Sequence, residues 1–338
     1  MGTALVTHKS GVKVKQYLDA VREILQDGTR KENRTGVDTL STFNINYEID
    51  LRKGFPLLTT KKISWKNIVI ENLWFLSGNQ DISFLKKHNC KFWDPWADEN
   101  GKVPSAYGNF WRQFPVHGED MKVLGLRNDE ADYARKEYND QVRWLVGQLK
   151  NNPMSRRLVV SAWAPGNAQT SKLPPCHALW VCNVQNMRKM GTSYADGMIT
   201  EVEYDETEPR LCLHLTQRSC DIALGVPYNI AGYAFIAEVL CHLTGLKPGI
   251  FAHTLIDGHA YTCKPDGSMS EFDHVPGLVE QLTREPRALP QLKISDKIKS
   301  LEDIEDLIRS DASTEEILDI FKLVDYNPHP AIKFKVAV

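Results

Sequence analysis

Leu173-Pro174-Pro175-Cys176-His177 runs straight into the apolar segment Ala178-Leu179-Trp180-Val181-Cys182. Two prolines fix φ and remove two backbone donors, so the chain enters Cys176 stiffly from a turn. The apolar residues that follow, Trp and Val among them, read as a buried strand. Upstream, residues 164–171 read as a loop. A thiol at the mouth of a rigid turn, with an imidazole beside it, suits a nucleophile. Equally, Cys is among the most buried residue types, and its histidine neighbour is then incidental.

A buried strand needs partners and a cover, and the neighbouring sequence supplies both. Residues 39–49, 158–163, 211–216 and 251–256 read as strands. Residues 230–243 are apolar nearly all round and end at Gly245 and Pro248, which predicts a helix in the centre of the molecule. Residues 15–26 form an amphipathic helical pattern, and 65–76 a mostly apolar one with a glycine stop at Ser77-Gly78. Residues 141–149 read as a helix ended by Asn151-Asn152-Pro153, and 297–323 as one or two surface helices. Residues 28–36 read as a loop, Ser105-Ala106-Tyr107-Gly108 as a turn, residues 224–229 as another turn, and 326–338 as extended. Two polar stretches, about 116–140 and 186–209, read as surface insertions. With no repeat and no linker, the pattern predicts one α+β domain over residues 1–338: a twisted mixed sheet against a central buried helix, with further helices around it.

The 338 residues are 42% hydrophobic and 25% charged, the balance of a globular protein with an ordinary core. A net charge of −2, from 41 basic and 43 acidic residues, argues against nucleic-acid or membrane partners. Anion binding must then come from a few positioned arginines. Seven cysteines with no Cys-x-x-Cys pair fit thiols in a reducing compartment and give no zinc signature. No apolar run reaches about 18 residues and no signal-peptide pattern opens the chain, so a cytoplasmic location is expected.

Some polar residues stand out against this background. Glu71 sits among Ile70, Leu73 and Trp74 on the apolar helix. It lies either on a narrow polar face or as a buried acid with a raised pKa, suited to proton transfer near neutrality. Trp93 and Trp96 flank acids and a proline, as cleft walls or as plain packing. Arg156 and Arg157 abut a buried strand, which makes them an anion site or a solvated pair.

Together these stretches resemble the thymidylate synthase family, from about residue 15 to the end and in the family's order. The matching segments include Asn33-Arg34-Thr35-Gly36, Gly54-Phe55-Pro56-Leu57, Trp93-Asp94-Pro95-Trp96-Ala97-Asp98, Pro174-Pro175-Cys176-His177 and Gln217-Arg218-Ser219. They continue through Gly225-Val226-Pro227-Tyr228-Asn229, His253-Thr254-Leu255-Ile256-Asp257-Gly258-His259-Ala260-Tyr261 and the terminal Val336-Ala337-Val338. The resemblance implies 5,10-methylenetetrahydrofolate as co-substrate, a pyrimidine nucleoside monophosphate as substrate, and no metal. It implies that Cys176 attacks C6 of the ring. Arg218, Gln217, Ser219, Arg34 and, from a partner subunit of a homodimer, Arg156 and Arg157 would then hold the nucleotide. Bidentate geometry explains arginine at a phosphate. Asn229 would read the base edge, His259 and Tyr261 the sugar, and Glu71, Tyr107, His177 and Asp221 would serve the proton transfers. Trp93, Asp221, Leu224, Gly225, Tyr228 and Val338 would contact the folate.

The chain departs from the family pattern near that pocket. Ala164 stands where an Asn is usual, Val181 where a Gln is usual, Thr216 and Tyr228 where a Tyr and a Phe are usual, and Thr262-Cys263 follow the sugar-binding Tyr. Lost polar groups change how water is held. The resemblance therefore implies two endings: hydride delivery giving dTMP, or water addition giving a 5-hydroxymethyl nucleotide of dUMP, dCMP or CMP.

Overall fold

The computed structural model describes residues 14–33, 35–115, 138–168, 171–186, 194–195, 198–199 and 208–336. Arg34, Val338, residues 116–137 and most of 187–207 fall outside these, so those expectations have no structural counterpart below.

Helix α1 (Gln16–Asp27) buries Tyr17, Leu18, Val21 and Ile24, the apolar stripe that its sequence spacing requires. Strands β1 (Thr29–Lys31) and β2 (Thr39–Asp50) follow, so part of the expected 28–36 loop is an edge strand. Helix α2 (Trp65–Ser77) starts at Ser64, whose side chain accepts from the Asn67 amide, and stops at Gly78 with φ 72°. Helix α3 (Tyr107–Arg112) begins at the tyrosine that read as a turn, and α4 (Gln141–Asn151) is capped by Asp140. Residues Pro165–Ala168 make one short helix inside the expected loop. Strand β3 (Val159–Ser161) is shorter than its sequence pattern, whereas β4 (His177–Gln185) and β5 (Arg210–Gln217) match theirs closely.

Strand β6 (Cys220–Asp221) leads to helix α5 (Gly225–Thr244). The expected turn at 224–229 is mostly the first turn of that helix. Pro227 is its third residue, where an amide would have no intrahelical partner, so proline costs nothing there. Strand β7 (Lys247–Tyr261) outruns its apolar stretch at both ends, because both neighbours offer it a ladder. Helix α6 (Val275–Leu282), strand β8 (Gln291–Ile294), helices α7 (Leu301–Arg309) and α8 (Thr314–Ile320) and strand β9 (Phe321–Val324) complete the described chain.

The main sheet runs β1-β2-β7-β5-β4-β3, with β6 beside β7. The β7–β5 and β7–β6 pairs are parallel and the others antiparallel. One face is apolar: β5 turns Leu211, Leu213 and Leu215 inward. Helix α5, buried on most of its surface, packs against β7 and β5; α2 lies on α5, and α1 on β2. The opposite face carries the half-buried Cys212, His214 and Thr216, with Phe43 of β2 78% exposed nearby on the same sheet.

Candidate active site

Cys176 is the last residue before β4, and the end of β5 lies beside it. The Arg218 amide donates to the Cys176 carbonyl at 2.8 Å. Its guanidinium donates through Nε to Pro175 O at 2.9 Å and through Nη2 to Pro174 O at 2.8 Å. The stiff proline pair therefore does more than present the thiol: its carbonyls hold Arg218 Nη2 at 3.8 Å from Cys176 Sγ. A guanidinium at that position complements a thiolate. Trp163 flanks the same cation, with Arg218 Cζ 5.6 Å from its ring centroid.

Helices α2 and α3 build an aromatic wall on the other side. The Tyr107 hydroxyl accepts from the Cys176 amide at 3.3 Å, and its ring stacks on His177 at 4.3 Å and 10°. Burial pushes the Tyr107 phenol well above its ordinary value, so it stays protonated. Burial likewise pushes His177 down to about 3, leaving a neutral ring. His177 Nδ1 is buried with no hydrogen-bond partner among the described residues.

Trp93, edge-on to Phe75 and Tyr107, donates Nε1–H to Glu71 Oε1 at 2.7 Å. Burial raises Glu71 to about 7, against the opposing effect of that hydrogen bond. Glu71 is half-buried, with its carboxylate against the Trp93 indole, which favours the raised-pKa alternative over a narrow polar face. An acid poised there gives or takes a proton at neutral pH.

Two further groups converge where β5, β6 and β7 meet α5. Gln217 donates Nε2–H to Asn229 Oδ1 at 3.1 Å and to Ser219 O at 3.0 Å. Asp221 accepts from the Ala223 and Leu224 amides at 2.9 and 3.0 Å. Burial alone would raise its carboxyl, but His274, 3.7 Å away, and the neighbouring donors hold it below the usual range. His259 faces Asp221 across the β6–β7 pair and meets Tyr261 edge-on at 5.6 Å. Burial lowers His259, but Asp257 outweighs it and raises the imidazole above its ordinary value. Asp257 is itself held by Lys31 at 2.7 Å and Ser41 at 2.7 Å.

At the start of α5, Leu224 and Gly225 lead into Tyr228, whose ring meets Phe92 edge-on at 5.0 Å. Gly225 sits between Asn229 and Asp221: a Cβ there would meet Asn229 Oδ1 at 3.4 Å and Asp221 Cβ at 4.0 Å, both ordinary contacts. Aromatic faces beside an ionised carboxylate suit a flat heterocycle that carries N–H groups.

The fold thus gathers Cys176, His177, Tyr107, Glu71, Trp93, Gln217, Arg218, Ser219 and Asn229 around one region, with Asp221, His259 and Tyr261 adjoining it. Arg156 and Arg157 are exposed, and no described hydrogen bond or ion pair joins either to this group. The sequence reading missed Lys61. It is 4% exposed, donates to Ala223 O, and lies 4.5 Å from the Phe334 ring centroid. Burial pushes its ammonium down to about 8. Its only sequence signal is its place at the end of the stiff apolar run from Phe55 to Thr60.

Among the described residues no group of three or more His, Cys, Asp or Glu is placed to hold a metal ion, and no helix is long and apolar enough to cross a membrane. The thymidylate synthase family pattern matches residues 15–338. A thymidylate synthase from Haloferax volcanii is 37% identical over 375 aligned positions, covering 98% of this chain and 99% of that relative.

Proposed function

The chain belongs to the thymidylate synthase family of one-carbon transferases, and from that premise we propose that it converts dUMP to dTMP by reductive methylation at C5. Cys176 Sγ adds to C6 of the ring, and the displaced electron pair moves onto C5 and O4. Arg218 complements the thiolate before the attack. Asn229 pairs with the N3–O4 edge, and Glu71 exchanges a proton at O4. Tyr107, kept as a neutral phenol, works with a water in removing the C5 proton. His259 and Tyr261 hold the sugar hydroxyl.

The pocket residues fit methylenetetrahydrofolate: Trp93, Tyr228, Leu224 and Gly225 offer a surface for its rings, and Asp221 an acceptor for its N–H groups. Bound there, that co-substrate supplies the carbon and, in methylation, the hydride. Lys61, between the Phe334 ring and the Ala223 carbonyl, ties the C-terminal segment to the Asp221 loop. One observation carries the methylation reading: Trp93 is 5% exposed and spends its N–H on Glu71, which sets an indole against the acid.

A second observation favours hydroxymethylation of dUMP, dCMP or CMP. The buried His177 Nδ1, without a partner among the described residues, is a place for a water. Incubating the enzyme with methylenetetrahydrofolate and each nucleotide decides between them. Dihydrofolate absorbance together with dTMP eliminates hydroxymethylation; a product heavier by CH2O without dihydrofolate eliminates methylation.

We further propose a homodimer in which Arg156 and Arg157 reach the partner's phosphate site. Their exposure, and the incompletely buried outer face of the sheet, support it. One apolar cluster running from Val14 to Phe321 supports a single domain.

A further inference from the structure

Tyr47 stands on β2, outside the site, with its hydroxyl 2.8 Å from His253 Nδ1 on β7. The two residues are register partners in the antiparallel pair, and their rings meet edge to face at 5.3 Å. His253, 1% exposed, lies with Nε2 3.1 Å from Gln217 Oε1 on β5. From Gln217 the contacts continue to Ser219 O and Asn229 Oδ1. A line of hydrogen bonds thus crosses three neighbouring strands and reaches Asn229 on α5, whose side chain also hydrogen-bonds His177.

One fixed point sets the donor direction of the whole line. A backbone carbonyl only accepts, so Ser219 O requires the Gln217 nitrogen beside it and turns Oε1 toward His253. Burial keeps the His253 ring neutral, with one N–H. Because Oε1 only accepts, that hydrogen sits on Nε2, and Nδ1 is a bare acceptor for the Tyr47 hydroxyl. At the far end the second Gln217 hydrogen goes to Asn229 Oδ1, so the amide nitrogen of Asn229 points away from Gln217.

We propose that Tyr47 is a positioning residue for base choice: by donating to His253 Nδ1 it reinforces, from the far end, the Nε2–H tautomer that Ser219 O selects, and through Gln217 it helps to keep the Asn229 amide from turning over. The inference rests on the reading that Asn229 faces the pyrimidine edge. Uracil presents an acceptor at C4 beside a donor at N3, and cytosine presents the reverse. An amide turned over by 180° exchanges its own donor and acceptor. A locked Asn229 therefore selects one base, and an unlocked one accepts both.

Tyr47→Phe keeps the ring on His253 and deletes only the donor. Tritium release from [5-3H]dUMP and [5-3H]dCMP reports the covalent step whichever product follows. The ratio of kcat/KM for the two nucleotides should fall about three- to tenfold, the effect of one hydrogen bond. In 15N-histidine spectra of the full-length enzyme, His253 should change from one Nε2–H tautomer to a mixture. Gln217→Glu, which has no N–H to offer Asn229, asks the same question from the next link and should move preference toward cytosine. Asn229→Asp is assayed beside them. A shifted base preference in Asn229→Asp with unchanged ratios in the Tyr47 and Gln217 variants overturns the relay alone. An unchanged preference in Asn229→Asp overturns the base-reading role of Asn229 and the relay with it. Equal losses on both nucleotides assign Tyr47 to packing and also overturn the proposal.

Discussion

Glu71 carries a proton that the protein barely holds at neutral pH, and this gives the residue a signature in stability as well as in catalysis. Its native pKa of about 7 lies above the 4.5 of an ordinary glutamate. Between those values the native state binds more protons than the unfolded chain, so stability falls as pH rises. Glu71→Gln removes the charge while keeping an acceptor for Trp93. The variant should match wild type at about pH 4 and exceed it by about 2–3 kcal/mol at about pH 8, read from urea midpoints. It should also lose the inflection near neutrality from the kcat/KM profile. A stability gap that stays constant with pH would remove Glu71 from the acids of raised pKa. Much at this scale was legible in the sequence: Cys176 behind two prolines, and a lone carboxylate in Ile-Glu-Asn-Leu-Trp. Tyr47, His253 and Lys61 were not, because an isolated tyrosine, histidine or lysine on a strand or connection gains meaning only from a neighbour far away in the chain. The carbonyl clamp on Arg218 was hidden for a related reason. Backbone acceptors leave no mark on side-chain identity.

At the scale of elements, α2 and α3 set the aromatic wall, and their approach depends on Gly108. A Cβ there would lie 2.2 Å from Phe75 O and 2.6 Å from Phe75 Cα, both backbone atoms that cannot swing aside. Gly108→Ala should therefore push α3 off α2, lower stability by about 3 kcal/mol or more, and displace the adjacent Tyr107. An unchanged thermal midpoint with normal turnover would show that the contact is slack. Helix periods and glycine stops made α1, α2 and α5 readable from composition alone. Element starts were harder: Tyr107 and Gly225 read as turns because proline and glycine near a helix N-terminus look the same as loop punctuation until the following helix is known. The ends of β7 were hidden too. They are strand because β2, β5 and β6 lie alongside, not because of their own residues.

For the molecule as a whole, the exposed Arg156 and Arg157 make a sharp statement about assembly. If each subunit completes its neighbour's phosphate site, two inactive variants should repair each other. An Arg156→Ala/Arg157→Ala chain mixed and refolded with a Cys176→Ser chain should recover about a quarter of wild-type turnover. Half of randomly formed dimers are then mixed, and each mixed dimer holds one intact site. Recovery no greater than the sum of the parents would place the arginines outside the partner's site. The identity of the fold was legible across almost the whole chain, since its motifs keep their order. The docking of distant strands was not, because register comes from both partners at once.

The position of β7 has a consequence for how the protein is made. That strand inserts between β2 and β5, joining a piece of sheet synthesised early to one synthesised in the middle of the chain. A nascent polypeptide lacking everything beyond Leu246 holds two separate sheet fragments, each with a bare edge that β7 later fills. Such edges invite pairing with other chains, and closure over so long a sequence separation is slow. Chaperone demand should therefore peak just before β7 leaves the ribosome. The strand that sutures the halves also carries His259 and Tyr261 to their place beside Asp221.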